Sequence, residues 1–154
     1  MNSATNVAEA LAYFDTSLIA PLYRSEPLTA VAEALQQQYR PVISLLTEVE
    51  LASTVARWVR TGELTPAQAA DIDRVFAEDL RQEVFERAEL HERQYWQART
   101  WLQQRSTSLR TLDALHLAVA AGQGWPILTA DRQLHNAAEA LGCKSQLAEA
   151  TRQK

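Results

Sequence analysis

Short apolar segments of strand length alternate along the chain with longer segments of helical pattern. Ala12-Tyr13-Phe14 is a brief apolar run that ends at Asp15-Thr16-Ser17, which is typical of a buried strand leading into a turn and a helix. The segments 41–44 and 126–129 repeat this pattern. Buried strands that alternate with helices indicate a mostly parallel sheet with helices on both faces. The sequence therefore predicts an α/β fold, a three-layer α/β/α sandwich around a short central sheet.

The intervening segments predict helices. Thr65-Pro66-Ala67-Gln68 has the strongest start pattern, because Thr65 suits the N-cap position and Gln68 completes a capping box. Thr47 is expected to open an amphipathic helix that stops near Gly62. Two weaker strands are expected, an edge or inner strand within 82–87 and a last strand near 144–147. The remaining expected helices cover about 17–22, 28–39, 65–80, 90–104, 112–121 and 131–141.

Length and composition indicate one globular domain. A chain of 154 residues is long enough to bury a core without disulfides, and the single Cys143 allows no intrachain bridge. We expect an N-terminal extension over 1–11, the domain over 12–148 and a short tail over 149–154. No run approaches the roughly 20 apolar residues of a membrane span, and the N-terminus lacks a basic-then-apolar signal. These patterns predict a cytoplasmic protein without membrane association.

The net charge argues against a simple nucleic-acid binder. It is -4, from 15 basic and 19 acidic residues, whereas phosphate contacts usually require a basic surface. A site in which several carboxylates hold divalent cations answers this objection, because the cations then carry the positive charge. The overall charge weakens an RNA-binding interpretation without excluding it.

Acidic residues follow the predicted strands at comparable places. Asp15 and Asp131 come directly after strands, Glu50 lies in the helix after the second strand, and Asp113 opens the apolar helix. Ligands of open α/β sheets bind beyond the carboxyl ends of the strands. Mg²⁺ and Mn²⁺ prefer such oxygen ligands, and a pair of ions about 4 Å apart can drive phosphodiester hydrolysis. Spacing alone thus predicts a cluster of carboxylates.

Each acid also has a structural explanation. Asp15 and Asp131 precede helices, where aspartate is a favoured N-cap. Glu50 is the third residue after Thr47, as in a capping box, which by itself favours a structural role. Asp113 fits a structural role least, because it is the only charged residue between Thr111 and Gly124. Spacing leaves the two explanations open.

Four blocks, in order, resemble the PIN-domain family. The blocks are Tyr13-Phe14-Asp15-Thr16-Ser17, Ser44-Leu45-Leu46-Thr47-Glu48-Val49-Glu50, Arg110-Thr111-Leu112-Asp113-Ala114-Leu115-His116-Leu117-Ala118 and Leu128-Thr129-Ala130-Asp131-Arg132-Gln133-Leu134. The resemblance spans 13–142 and is most specific in the third block. Residues 1–10 before the first strand and the polar segment after Gly142 depart from the family pattern without touching the acids.

The resemblance implies a compact α/β/α sandwich, a Mg²⁺ or Mn²⁺ site and endonucleolytic cleavage of RNA. It implies that Asp15 and Asp113 are central metal ligands and that Glu50 and Asp131 complete the site, with Glu48 as the alternative to Glu50. The chain looks most like VapC-type toxins, which a cognate antitoxin holds inactive, and a homodimer is the family expectation. Hydroxyls that would orient ligands or water are those of Thr16, Ser17 and Thr129.

Two other functions remain open at this point. One is a PIN-domain nuclease for RNA processing that has no antitoxin. The other is a non-catalytic α/β module in which the acids cap helices and apolar helix faces mediate assembly.

Other polar and aromatic residues have simpler explanations. A zinc site is not expected, because Cys and His lack paired spacing. His116 is expected to be a hydrogen-bonded histidine of a buried helix, and His91 and His135 to face solvent. Arg110 and Arg132 suit either phosphate binding or ion pairs with nearby carboxylates. Core or interface positions are expected for Trp58, Trp96, Trp101 and Trp125.

Overall fold

A five-stranded parallel sheet forms the centre of the computed structural model, which describes residues 10–151. The strand order is β3-β2-β1-β4-β5, and each neighbouring pair is parallel. Within the described residues the strands are β1 (Leu11–Phe14), β2 (Arg40–Ser44), β3 (Glu86–Ala88), β4 (Ile127–Thr129) and β5 (Ser145–Leu147).

Helices connect consecutive strands and cover both faces of the sheet. The predicted three-layer α/β/α sandwich is confirmed. In the described part of the chain the helices are α1 (Thr16–Ile19, continued by a 3-10 turn over Ala20–Leu22), α2 (Thr29–Gln38), α3 (Leu45–Arg60), α4 (Pro66–Arg81), α5 (Glu92–Gln104), α6 (Thr111–Gly122) and α7 (Arg132–Ala140).

The central strand β1 sends alternate side chains into two cores. Ala12 and Phe14 lie in the core that α1 to α4 cover, whereas Tyr13 lies in the core under α5, α6 and α7. All three are fully buried. Successive side chains of a strand point to opposite faces, so a strand between two helical layers must be apolar on both. This explains why β1 reads as a continuous apolar run.

Helix α3 begins two residues earlier than expected. Ser44 ends β2 in an extended conformation and caps the helix, and Thr47 Oγ1 accepts the N–H of Ser44 at 3.2 Å to complete a capping box. The interpretation of Thr47 as N-cap with Glu50 completing its box was therefore wrong. Glu50 instead lies well inside the helix, and its carboxylate is free for another role.

Two weak strands exist, one of them displaced. Helix α4 continues through Arg81, so β3 starts at Glu86 and not within 82–85, and it lies at the sheet edge beside β2. The last strand, β5, pairs with β4 as expected near 144–147. Among residues 10–151, no helix combines the length and the apolar character that crossing a bilayer requires.

The expectations for the chain ends and for several ring side chains have mixed outcomes. Most of the expected extension over 1–11, and residues 152–154 of the expected tail, fall outside the described residues, and the bounds 12–148 stay a prediction. His91 is exposed, as expected, but His135 is not, since its Nδ1 lies 2.8 Å from Ser145 Oγ. The side chain of His135 is only 16% exposed. Trp58 and Trp101 are buried, whereas Trp96 is about half exposed.

Candidate active site at the carboxyl edge of the sheet

One cleft of about 390 Å³ at the carboxyl edge of the sheet is lined by four acids predicted from the sequence: Asp15, Glu50, Asp113 and Asp131. β1 and β4 are neighbours, so the residues that follow them, Asp15 and Asp131, are brought to the same edge. Helices α3 and α6 contribute Glu50 and Asp113 from either side. The carboxylates therefore share one cleft although they are spread over most of the chain.

Asp15 is held by hydroxyl groups. It is 7% exposed, and its Oδ2 accepts hydrogen bonds from Ser17 Oγ at 2.7 Å and Thr129 Oγ1 at 2.9 Å. Asp15 occupies the N-cap position of α1, but its side chain makes no capping hydrogen bond. The capping explanation therefore does not account for this buried carboxylate.

Asp131 does cap a helix, as one of the two interpretations predicted. Its Oδ1 accepts the backbone N–H groups of Gln133 at 2.8 Å and Leu134 at 3.4 Å, at the start of α7. Its own N–H donates to Thr129 Oγ1 at 3.0 Å. Asp131 nonetheless lines the cleft, so capping and a role in the site are compatible.

Glu50 is anchored by two neighbours. Thr16 Oγ1 donates to Glu50 Oε1 at 3.1 Å, and Nε2 of the buried His116 contacts the same oxygen. Burial opposes ionisation of Glu50, but the hydrogen bonds from His116 and Thr16 hold its pKa below the usual range. The alternative acid, Glu48, is occupied elsewhere, because its carboxylate accepts hydrogen bonds from Arg87 at 2.6 and 2.7 Å. Of these two glutamates, Glu50 lines the cleft.

Asp113 lies in the first turn of α6. Burial raises its pKa, and the negative charges of Asp15 and Asp131 raise it further, against a smaller opposing effect of the Arg110 charge. Arg110 Nε lies 3.8 Å from Asp113 Oδ2, beyond hydrogen-bond distance. The side chain is 22% exposed. Asp113 is thus an incompletely neutralised acid beside two others.

Three of these carboxylates share one arrangement of hydrogen bonds. In Asp15, Asp131 and Glu50 the protein hydrogen bonds go to a single oxygen: Oδ2, Oδ1 and Oε1, respectively. The second oxygen of each accepts no hydrogen bond from the residues that the structure describes. A carboxylate fixed through one oxygen keeps the other available for a cation or water.

The donor set fits a hard divalent cation. Mg²⁺ usually takes only one or two carboxylates, keeps several waters and avoids cages made entirely of protein ligands. Within residues 10–151, no three His, Cys, Asp or Glu side chains are grouped closely enough to enclose one ion. The open arrangement of carboxylates suits a hydrated Mg²⁺ or Mn²⁺ better than a closed structural metal site.

Basic side chains flank the acids on two sides. Helix α3 places Thr54 and Arg57 one and two turns after Glu50, on the same wall of the cleft. Arg57 is the only basic residue among the described residues that line it. Arg110 lines an adjoining cavity that shares Glu50 and Asp113 with the cleft. Arg132 forms an ion pair with Glu149, so of the two alternatives expected for it the ion pair is the one observed.

Sequence reasoning missed Arg57, although a usable pattern existed. Glu50, Thr54 and Arg57 are spaced at i, i+4 and i+7 within the predicted helix, which places them on one face. His116 is a fully buried, hydrogen-bonded histidine, as expected. Its contact with Glu50 joins residues far apart in the chain and has no local sequence pattern.

A sequence model of the PIN domain matches residues 12–140. No curated protein sequence matches the chain significantly.

Solved structures of similar fold include bacterial VapBC and toxin–antitoxin proteins. VapBC2 from Rickettsia felis, bound to a DNA fragment from its promoter, aligns with a TM-score of 0.63 and 14% identity, over 90% of this chain and 99% of that one. VapC20 from Mycobacterium tuberculosis, a sarcin–ricin loop cleaving toxin, aligns with a TM-score of 0.63 and 19% identity, over 94% and 100%. A toxin–antitoxin complex from Klebsiella pneumoniae aligns with 0.57 and 18%, over 79% and 88%. These likenesses establish a common fold.

Proposed function

The chain belongs to the PIN-domain family, and from this premise we propose that it is a divalent-metal-dependent endoribonuclease, a hydrolase acting as the toxin of a toxin–antitoxin pair. The observation that carries the proposal is the cleft in which Asp15, Glu50 and Asp131 are each held through one oxygen. Asp113 adds a fourth carboxylate whose raised pKa reflects its acidic neighbours.

Asp15 and Asp113 would be the central metal ligands, and Glu50 and Asp131 would complete the site directly or through water. When bound, Mg²⁺ or Mn²⁺ supplies positive charge against a phosphate and makes water more acidic. The hydroxyls of Ser17 and Thr129 keep the Asp15 carboxylate in place, so that little reorganisation is needed at the moment of reaction.

The flanking arginines suit an RNA backbone. Arg57 lines the cleft with the acids and Arg110 lines the adjoining cavity with Glu50 and Asp113, so both guanidinium groups are available to phosphates of an RNA strand bound there. Local positive charge then compensates for the overall charge of -4. Two positively charged positions beside an acidic centre match a phosphodiester substrate better than a neutral one.

Partners follow from the same proposal. The toxin role is supported by the VapBC and toxin–antitoxin proteins of similar fold, and an antitoxin would be the cognate partner. A homodimer is also proposed. Tyr95 and Trp96, both about half exposed on α5, provide apolar surface for such contacts.

Cleavage of a structured RNA pool tests the proposed activity. The full-length chain, shown by mass spectrometry to carry no bound protein, is incubated with Mg²⁺ or Mn²⁺, with chelator, and as the Asp15→Asn variant. We expect cleavage that requires metal and falls to background in chelator and in Asp15→Asn. The matched control is Asp73→Asn, at an exposed position of α4, which should retain wild-type activity.

Two outcomes would contradict the assignment. Cleavage that survives chelator or Asp15→Asn would come from another enzyme or from metal-independent chemistry. Absence of cleavage with either metal would favour a non-catalytic α/β module.

A further inference from the structure

A series of buried hydrogen bonds links the start of α3 to Glu50. Tyr13 Oη lies 2.8 Å from Ser44 Oγ and 2.6 Å from His116 Nδ1. The other ring nitrogen of His116, Nε2, contacts Glu50 Oε1. Tyr13, Ser44 and His116 are all 0% exposed. The connection therefore stays inside the protein until it reaches Glu50 at the cleft.

In the hydrogen bond between His116 and Glu50, the donor is fixed. Oε1 of Glu50 also accepts the hydroxyl hydrogen of Thr16 at 3.1 Å, as a carboxylate oxygen accepts hydrogen bonds without donating any. Nε2 of His116 must therefore carry the hydrogen in this contact. The next question is whether Nδ1 of His116 carries a hydrogen as well.

The contacts of Tyr13 answer that question. In the capping box, Ser44 Oγ accepts the N–H of Thr47. The hydroxyl hydrogen of Ser44 can be donated to Tyr13 Oη, which lies 2.8 Å away. Tyr13 then donates to His116 Nδ1 at 2.6 Å. If Nδ1 were protonated, Tyr13 would instead have to donate to Ser44 Oγ at 2.8 Å or to Thr47 Oγ1 at 3.5 Å, and the direction of the hydrogen bonds would reverse.

The Tyr13 hydroxyl keeps its hydrogen at neutral pH, as a phenol ordinarily does. Because Tyr13 is fully buried, bulk water does not compete for this hydrogen.

We propose that Ser44, Tyr13 and His116 form a one-directional hydrogen-bond relay that positions Glu50, in which Tyr13 donates to Nδ1 of His116 and the Nε2–H of His116 donates to Glu50. The relay holds Oε1 and leaves Oε2 free at the cleft. This inference rests on the proposed function, because the role of Glu50 as a metal ligand belongs to that proposal. Tyr13 and His116 are positioning residues, since both are buried behind Glu50 and neither lines the cleft.

The first test reads the hydrogen positions by ¹⁵N NMR of the His116 ring in the metal-free, full-length chain. We expect a bare Nδ1 and a protonated Nε2 in the wild type. Tyr13→Phe keeps the aromatic ring but removes the donor, so the ring should shift toward the other tautomer or a mixture of both. This measurement does not depend on metal binding or on catalysis.

The second test measures the dissociation constant for Mn²⁺ by calorimetry. Groups that orient metal ligands typically contribute 10- to 100-fold to affinity, and we expect Tyr13→Phe to weaken binding about tenfold. The matched control is Tyr23→Phe, which removes a hydrogen bond of 2.5 Å to Asp79 away from the cleft. This control should lose stability without losing Mn²⁺ affinity or changing the His116 ring.

A rescue experiment separates the hydrogen bond from packing. His116→Gln retains a side-chain N–H for Glu50 and should recover part of the affinity that His116→Leu loses. Because Tyr13→Phe preserves the packing around the ring, it tests the relay even where a substitution at the buried His116 prevents folding.

The relay is overturned if wild-type His116 carries its hydrogen on Nδ1 or on both nitrogens. It is equally overturned if Tyr13→Phe leaves both the tautomer and the Mn²⁺ affinity unchanged. Failure of the wild-type chain to bind Mn²⁺ would contradict the proposed function instead, and the NMR result would still decide the direction of the hydrogen bonds.

Discussion

At the scale of single residues, the acids of the cleft oppose one another. The electrostatic repulsion is felt at Asp113, because burial and the charges of Asp15 and Asp131 all favour its protonated form. Its folded-state pKa lies above the ordinary value of 3.8, so the ionised side chain costs stability at neutral pH. This cost disappears as the pH falls below 3.8, where the group is protonated in both the folded and unfolded chain.

Asp113→Asn should therefore stabilise the metal-free protein. We expect its Tm in chelator at pH 7 to exceed that of the wild type by about 1–3 °C. The gain should shrink as the pH is lowered toward 4. Calorimetry at several pH values measures both effects, with the exposed Asp73→Asn as control. A lower Tm for Asp113→Asn at pH 7 would mean that Asp113 is a structural cap and not a member of a repelling cluster.

Arg57→Gln should weaken RNA binding more than it changes the chemical step. Arg57 contributes one positive charge beside the acids, so its loss should raise KM several-fold and make log Kd depend less on log salt, by about one phosphate contact. Arg60→Gln, on the same helix but outside the lining of the cleft, is the control. Equal effects of the two substitutions would point to general charge, and a loss confined to kcat would place Arg57 in the chemistry.

How well the sequence predicts such residues depends on whether their partners are local. Asp15 and Asp131 follow strands directly, so their place at the sheet edge could be predicted from the pattern. The contact between Tyr13 and His116 spans 103 residues and could not, because it depends on how α6 packs against β1. His135 was misjudged for the same reason, since its partner Ser145 belongs to β5.

At the scale of elements, helix starts decide how the site is built. Ser44 ends β2 and caps α3, so the same residue sets the helix register and begins the relay to Glu50. Ser44 and Thr47 are both residue types that suit an N-cap, and the sequence pattern favoured Thr47. Tertiary packing decides between them, since Leu46 packs into the core beneath the sheet.

Substitutions of Asp131 distinguish its role as the cap of α7 from the role of its charge in the cleft. Asparagine caps a helix about as well as aspartate, so Asp131→Asn should leave metal-free stability within about 0.5 kcal/mol of the wild type. Asp131→Ala should cost about 1 kcal/mol, because the N–H groups of Gln133 and Leu134 lose their acceptor. Denaturant unfolding measures both variants.

The Mn²⁺ affinity of the same Asp131 variants shows whether the carboxylate also contributes to metal binding. If the carboxylate contributes to the metal site, Asp131→Asn should bind Mn²⁺ more weakly although it is as stable as the wild type. If Asp131→Asn binds Mn²⁺ as tightly as the wild type does, Asp131 acts only as a helix cap.

At the scale of the whole molecule, the fold could be predicted because local and global patterns agree. Strands apolar on both faces require helices on both sides, and β1 and β4 at the centre meet this requirement with fully buried residues. The short edge strands β3 and β5 are less apolar, so their limits were the least predictable. The carboxylates share a cleft because parallel strands end at the same edge.

The toxin role predicts a phenotype for the whole molecule. Expression of the wild-type chain in bacterial cells should arrest growth, whereas the Asp15→Asn variant should not. Coexpression of a small DNA-binding protein encoded beside the gene should relieve the arrest, if that protein is the antitoxin. Growth unaffected by an active, metal-dependent ribonuclease would favour RNA processing without an antitoxin.

The most direct test of the account locates the cation. Crystals of the full-length chain grown with Mn²⁺ would be measured at a wavelength where manganese scatters anomalously. The account predicts a peak in the cleft beside Asp15 and Asp113, and its loss in crystals of Asp15→Asn. A peak only at another place, or none in crystals soaked at saturating Mn²⁺, would contradict the assignment of these carboxylates as a metal-dependent active site.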